Sequence, residues 1–237
     1  MAISYVGGQS AGRANPSAAA QITFALTGGS DAAPLAGDLV IVCAVTGSAD
    51  GNPAMAVTVP AGYTALGQLN QNTTADTSMD VSWKFMPSPP ETTVTIPGTT
   101  NNAWAEAYSI QVFRGVDHCT PFDATAVSAG ATGTGRPDPG SIVPVTAGAW
   151  PVICGGGAAG TGATYTAPLN YTTNFTTATG ADTTDAMVGS GYRSDWTSGT
   201  ENPAAYTGGT TGATDSWTAY TLCLRPEGVY LFGQSSF

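Results

Sequence analysis

The stretch from Met79 to Phe85 limits the fold more than any other. Met79, Val81, Trp83 and Phe85 alternate with Asp80, Ser82 and Lys84. A period of two puts successive side chains on opposite faces of a strand, so this segment belongs in a sheet with a buried side. A longer stretch, Trp104 to Ala124, alternates in the same way and stops at Arg114-Gly115. Its Tyr108, Ile110 and Val112 are expected to face a core, with Ala107, Ser109 and Gln111 facing away. Asp215 to Pro226 reads like it.

Strand signals recur along the chain. Ser4-Tyr5-Val6 suggests a short first strand before a Gly/Ser/Asn/Pro loop through Ser17, and Ile22, Phe24 and Leu26 alternate. Leu39 to Val45 is a continuous apolar run, which suits a strand covered on both faces. Met55, Val57 and Val59 lead to a turn at Pro60–Tyr63. Pro87 to Pro90 ends the Met79 strand because proline cannot donate to a ladder, and Val94 with Ile96 forms another short strand. No window holds helical spacing, since Gly or Pro interrupts most candidates. With 31 Gly and 16 Pro among 237 residues, but also 5 Trp, 9 Tyr and 7 Phe, the chain is expected to fold, and to fold as all-β.

The second half repeats the landmarks of the first. AGAWPVICGG at Ala147 answers AGDLVIVCAV at Ala36, and Tyr171 after Pro168 answers Tyr63 after Pro60. Tyr192-Arg193 answers Trp83-Lys84, Glu201 falls near the place of Glu91, and Trp217 with Tyr220 answers Trp104 with Tyr108. The offsets run from about 108 to 113 residues. Half-repeats of about 36–126 and 147–226 are therefore expected, joined near Ser128–Gly140. They would complete one two-sheet, jelly-roll-like sandwich over residues 1–226, because each sheet needs a partner to cover its apolar side. Residues 227–237 would be a separate tail.

The formal charge is −10, with one lysine and five scattered arginines. Nucleic-acid phosphates and anionic membranes both attract clustered positive charge, so neither is an expected partner. No run approaches the ~20 apolar residues of a membrane helix. No basic segment followed by an apolar core opens the chain, so no signal peptide is expected.

Candidate chemistry is sparse. The only histidine, His118, lies between Asp117 and Cys119, where a corner held by side-chain hydrogen bonds explains it better than a Cys/His pair. Cys43, Cys119, Cys154 and Cys223 lack zinc spacing; Cys43 and Cys154 sit inside apolar strands, as buried thiols do. Asp182 and Asp185 could offer oxygens to calcium, though an exposed polar loop accounts for them. No nucleophile elbow or phosphate-binding loop is present. No catalytic residue, metal or cofactor is expected. Tyr165, Tyr171, Trp196 and Tyr206 could stack sugars if exposed, and otherwise fill a core.

AGDLVIV (Ala36–Val42), PAGYTALG (Pro60–Gly67), the WKF strand, YSIQVFRGVDHCTPFDA and the closing DSWTAYTLCLRP resemble a group of tailed-bacteriophage virion proteins. The resemblance runs from about Ile3 to Pro226. It implies a β-sandwich without enzymatic activity, found among capsid decoration, head-fibre and tail-associated proteins, and it carries no functional residues. The expectation is a capsid decoration or head-fibre component on the particle surface, with a tail-associated receptor- or glycan-binding module as the alternative. Its partners would be a major capsid protein or another virion protein, and copies of itself in a symmetric assembly such as a trimer. Beyond the resemblance, Val229, Tyr230, Leu231, Phe232 and Phe237 form an apolar tail that could dock on a neighbour.

Overall fold

The computed structural model describes residues 1–14, 16–49, 59–71, 75–99, 105–132, 135–158, 164–179, 186–209 and 216–228. Within them the chain is all-β. The first half supplies β1 (Ser4–Ala14), β2 (Ala20–Thr23), β3 (Leu39–Ala49), β4 (Thr64–Gln71), β5 (Ala75–Phe85), β6 (Thr93–Ile96) and β7 (Ala105–Arg114). The second supplies β8 (Val127–Thr132), β9 (Trp150–Ala158), β10 (Tyr165–Thr166), β11 (Thr172–Thr179), β12 (Ala186–Tyr192), β13 (Thr207–Gly208) and β14 (Ser216–Leu224).

Two antiparallel five-stranded sheets have matching strand order. The first is β1-β7-β3-β5-β4, and the second, read the same way, is β8-β14-β9-β12-β11. Register repeats as well as order. Cys43 on β3 faces Val81 and Ser109 on its neighbours, and Cys154 on β9 faces Ser190 and Tyr220. A bulge recurs at the same place, between Ala65 and Gly67 in β4 and between Thr173 and Phe175 in β11.

The repeating unit starts earlier than residue 36 or 147, because it includes the edge strands β1 and β8. Gly7–Ala14 and Ser128–Thr132 read as loop or linker because small residues leave no alternating apolar signal. Their ladders with β7 and β14 make them strands.

The two sheets pack face to face around one core. Leu39, Ile41, Cys43, Val45, Met79, Val81 and Phe113 meet Val152, Cys154, Val188, Tyr220, Leu222 and Leu224. Each aliphatic side chain buried there contributes roughly 1.5–3 kcal/mol. The chain passes from one sheet to the other once, between β7 and β8, whereas in a jelly roll such crossings recur.

Outer ribbons cover the far faces. The β2–β6 ribbon lies over the first sheet and brings Ile96 and Val94 against Val40, Val42 and Ile110. Beyond the second sheet, Tyr165 of β10 and Tyr206 beside β13 pack against Ile153 and Met187. With these ribbons in place β7 is buried on both sides from Ala105 to Phe113, so Tyr108, Ile110 and Val112 face a core as expected, while Ala107, Ser109 and Gln111, expected to face away, are buried as well. Ala107 and Phe113 face the second sheet, and by alternation so do Ser109 and Gln111, while Tyr108, Ile110 and Val112 face the β2–β6 ribbon.

An approximate two-fold axis relates the halves. β1 lies over β11 as β8 lies over β4, and β7 lies over β12 as β14 lies over β5. Equivalent residues meet where β3 crosses β9. A Cβ built on Gly156 would fall 2.4 Å from Cγ2 of Val45, its counterpart, so the missing side chain lets these strands approach.

Candidate functional site

Strand direction gathers many connections at one end of the sandwich. β1, β3, β4, β8, β9 and β11 begin there, and β5, β7, β12 and β14 end there. Aromatic rings close the inner core beneath this end. Trp150 stacks on Tyr192 at 5.2 Å, Phe113 stands edge-on to both, and Trp83 stands edge-on to Phe85 and Phe122.

All the exposed large apolar side chains among the described residues lie in the segments at this end. They are Met1, Leu35, Val143, Val145 and Leu169, with exposures from 52% at Leu35 to 88% at Leu169. Single water-facing apolar side chains are ordinary on a protein surface, whereas a contiguous group of them is the usual mark of a contact site.

The backbone beneath them is pinned by buried carboxylates. Asp38 Oδ2 accepts the N–H of Leu35 at 2.8 Å, and Arg114 clasps both oxygens of Asp38 at 2.8 and 2.9 Å. Hydrogen bonding to Asp38 raises the pKa of the Arg114 guanidinium further. Asp123 Oδ2 accepts the N–H groups of Val145 and Thr146 at 2.5 and 2.8 Å, while Arg225 Nε donates to Oδ1 at 3.1 Å. Burial works against ionisation of Asp123, but the bonds from Thr146, Val145 and Arg225 outweigh it and hold the carboxyl below its ordinary range.

Leu169 projects from a turn in which Tyr171 N–H donates to Pro168 O at 3.1 Å. Asn170 takes φ 73° there, a left-handed conformation that Asn tolerates, and Gly62 takes φ 79° in the equivalent turn. Tyr171 Oη then donates to Glu201 Oε1 at 2.8 Å, and Arg193 Nη1 holds Glu201 Oε2 at 2.7 Å. Burial raises the Tyr171 phenol pKa, so the hydroxyl remains a donor. Next to Val143, Ile142 and Glu201 exchange two backbone hydrogen bonds. The apolar tips are thus presented on backbone that is already ordered.

The basic side chains are used internally. Arg13 pairs with Glu106, Lys84 with Glu91, Arg114 with Asp31 and Asp38, Arg193 with Asp195 and Glu201, and Arg225 with Asp123. Arg136 donates to the carbonyls of Gly208 and Gly209. These six are the chain's whole complement of Lys and Arg.

The aromatic residues considered for sugar stacking do not form a site. Tyr165 and Tyr206 are 1% exposed, in one cluster with Tyr171, and Trp196 is buried against Ile142, Ala149 and Cys223. A stacking platform needs an exposed ring face, so packing has taken these side chains. The docking residues Val229, Tyr230, Leu231, Phe232 and Phe237 lie outside the described residues, as do Asp182 and Asp185. The chain nevertheless reaches the apolar end just before them, where Glu227 O accepts the Met1 amino group at 2.7 Å.

The corner after β7 is built by Asp117, whose Oδ1 accepts the N–H groups of Cys119 and Thr120 at 2.8 and 3.0 Å. His118 stacks on Phe85 at 4.1 Å. Among the described residues no group of three His, Cys, Asp or Glu could hold a metal ion, and no helix is long and apolar enough to cross a membrane.

Leu35, Val143, Val145 and Leu169 escaped sequence reasoning because each stands singly among turn residues. The available signal was an apolar residue next to proline, as in Pro34-Leu35, Val143-Pro144-Val145 and Pro168-Leu169. The chain matches no protein-family model, no curated protein and no solved structure.

Proposed function

We propose that this protein is a structural component of a bacteriophage particle, a capsid decoration or head-fibre protein that acts by adhesion. The single observation behind this reading is the apolar end, where Met1, Leu35, Val143, Val145 and Leu169 are exposed while the backbone of Leu35 and Val145 is bonded to Asp38 and Asp123. Preorganised apolar tips favour binding because little side-chain and loop entropy is lost on contact. The resemblance of the strand and corner patterns to tailed-phage virion proteins supports the same reading. The partners proposed are a major capsid protein or another virion protein, together with further copies of this chain, and the place proposed is the particle surface.

The test is imaging of intact particles that carry the protein with a label. Density at lattice positions on the head is the expected result. Density at the tail tip would replace it with a tail-associated module, and absence from the particle would end it. A particle-incorporation assay with Leu35, Val145 and Leu169 changed to Ser asks whether the apolar end makes the contact.

A further inference from the structure

Cys43 and Cys154 are equivalent residues of the two sheets, each paired with the same two neighbouring strands in the same register. They are 1% and 0% exposed and belong to the one core between the sheets. Both are free thiols in this structure, and Cys154 is the neighbour that acts most strongly on the Cys43 thiol. The close approach of Val45 and Gly156, two residues further along the same strands, brings the two backbones together at this level. Neither other cysteine competes: Cys119 is exposed at the corner, and Cys223 lies in a separate cluster with Ile142, Ala149 and Trp196.

We propose that Cys43 and Cys154 are the site of a disulfide that joins the two sheets across the approximate two-fold axis. The oxidant is a low-molecular-weight disulfide such as glutathione disulfide. One cysteine thiolate attacks a sulfur of that disulfide; its S–S bond breaks, a thiolate leaves, and a mixed disulfide forms. The second cysteine thiolate then attacks the protein sulfur of the mixed disulfide and expels the second small thiolate. Two protein thiols are oxidised by two electrons in all, and one small disulfide is reduced to two thiols.

The timing follows from burial. Hydrogen bonding to Cys154 and burial raise the Cys43 thiol pKa in the folded chain, which suppresses the reactive thiolate. Exchange therefore belongs to the folding chain, before the sheets close over the pair. Once formed, the bond would lie out of reach of soluble reductant until the sheets part.

The experiment refolds the full chain from denaturant in a glutathione redox buffer, with a parallel sample in excess reductant. Both are then unfolded, alkylated without reduction and mapped as peptides. The expected product has alkylated Cys119 and Cys223 and a linked Cys43–Cys154 peptide that has lost two hydrogens. Its thermal midpoint should exceed that of the reduced sample by about 10 °C, a difference that should vanish in Cys43→Ser with Cys154→Ser. Four alkylated cysteines in the redox-buffered sample would overturn the proposal. So would a bridge to Cys119 or Cys223. The peptide map uses the unmutated chain, so its result stands even if the double variant does not fold.

Discussion

Arg114 and Arg225 occupy the same corner of the two sheets but reach carboxylates from different parts of the chain. Arg114, the last residue of β7, clasps Asp38, which immediately precedes β3, whereas Arg225, just after β14, holds Asp123 from the corner after β7. In both halves the carboxylate also caps the turn before the central strand, at Leu35 or at Thr146. The second turn has Ala149 where the first has Asp38. The arginine and the turn are repeated, and the acid between them comes from two places.

Asp123→Ala should therefore be strongly destabilising. It removes three bonds from a side chain with no exposure and strands the N–H groups of Val145 and Thr146. A loss of about 3 kcal/mol is expected in urea denaturation. Asp123→Asn, which keeps an acceptor, should cost less.

Titration should show two windows. Burial raises the pKa of Asp80, on β5, to about 7. Its folded form retains a proton that the unfolded form has lost, so stability falls as pH rises from about 4 to 7 and then levels, by at most on the order of 4 kcal/mol. Asp80→Asn should flatten that decline. Asp123 has the opposite sign: its folded pKa is depressed, so its contribution is present above pH 4 and lost as acid is added below it. Thermal midpoints from pH 2 to 8, with and without each substitution, separate the two.

The paired positions Val45 and Gly156 invite a reciprocal exchange. Gly156→Val alone forces a Cβ to within 2.4 Å of Val45 Cγ2 and should cost about 3 kcal/mol or prevent folding. Adding Val45→Gly moves the valine to the other side of the axis and should recover much of the loss. A double-mutant cycle measures the coupling.

Ser at Leu35, Val145 and Leu169 should leave stability within about 0.5 kcal/mol of the parent, because these side chains already face water. Self-association or particle incorporation should fall by more than that change explains. Sedimentation at several concentrations and a particle-binding assay read the two effects separately.

The parts legible in the sequence were those whose side chains alternate. Met79, Val81 and the Leu39 run declared their strands, and Trp83-Lys84 and Glu91 matched Tyr192-Arg193 and Glu201 as landmarks in the sequence, with no ion pair implied. The structure adds that Lys84 pairs with Glu91 and Arg193 with Glu201, and Tyr63 stands near Lys84 as Tyr171 stands near Arg193's partner Glu201. β8 and the part of β1 beyond Val6 stayed hidden because Gly, Ala and Ser give no face to read, and β-pairing supplies what their side chains do not. Ser109 and Gln111 misled for a different reason. Alternation tells which residues share a face, and not whether another sheet covers it. The apolar end was invisible because it is assembled from isolated residues in separate turns.

The single passage between sheets has a consequence during synthesis. All five strands of the first sheet have been made once Arg114 emerges, yet the surface carrying Ile41, Cys43, Val45 and Met79 has no cover until the second half arrives. At ordinary translation speed that interval is on the order of 10 s. A nascent chain would meet its neighbours on the same messenger with half of its eventual interior facing outward, so ribosome spacing and chaperone supply would govern its yield.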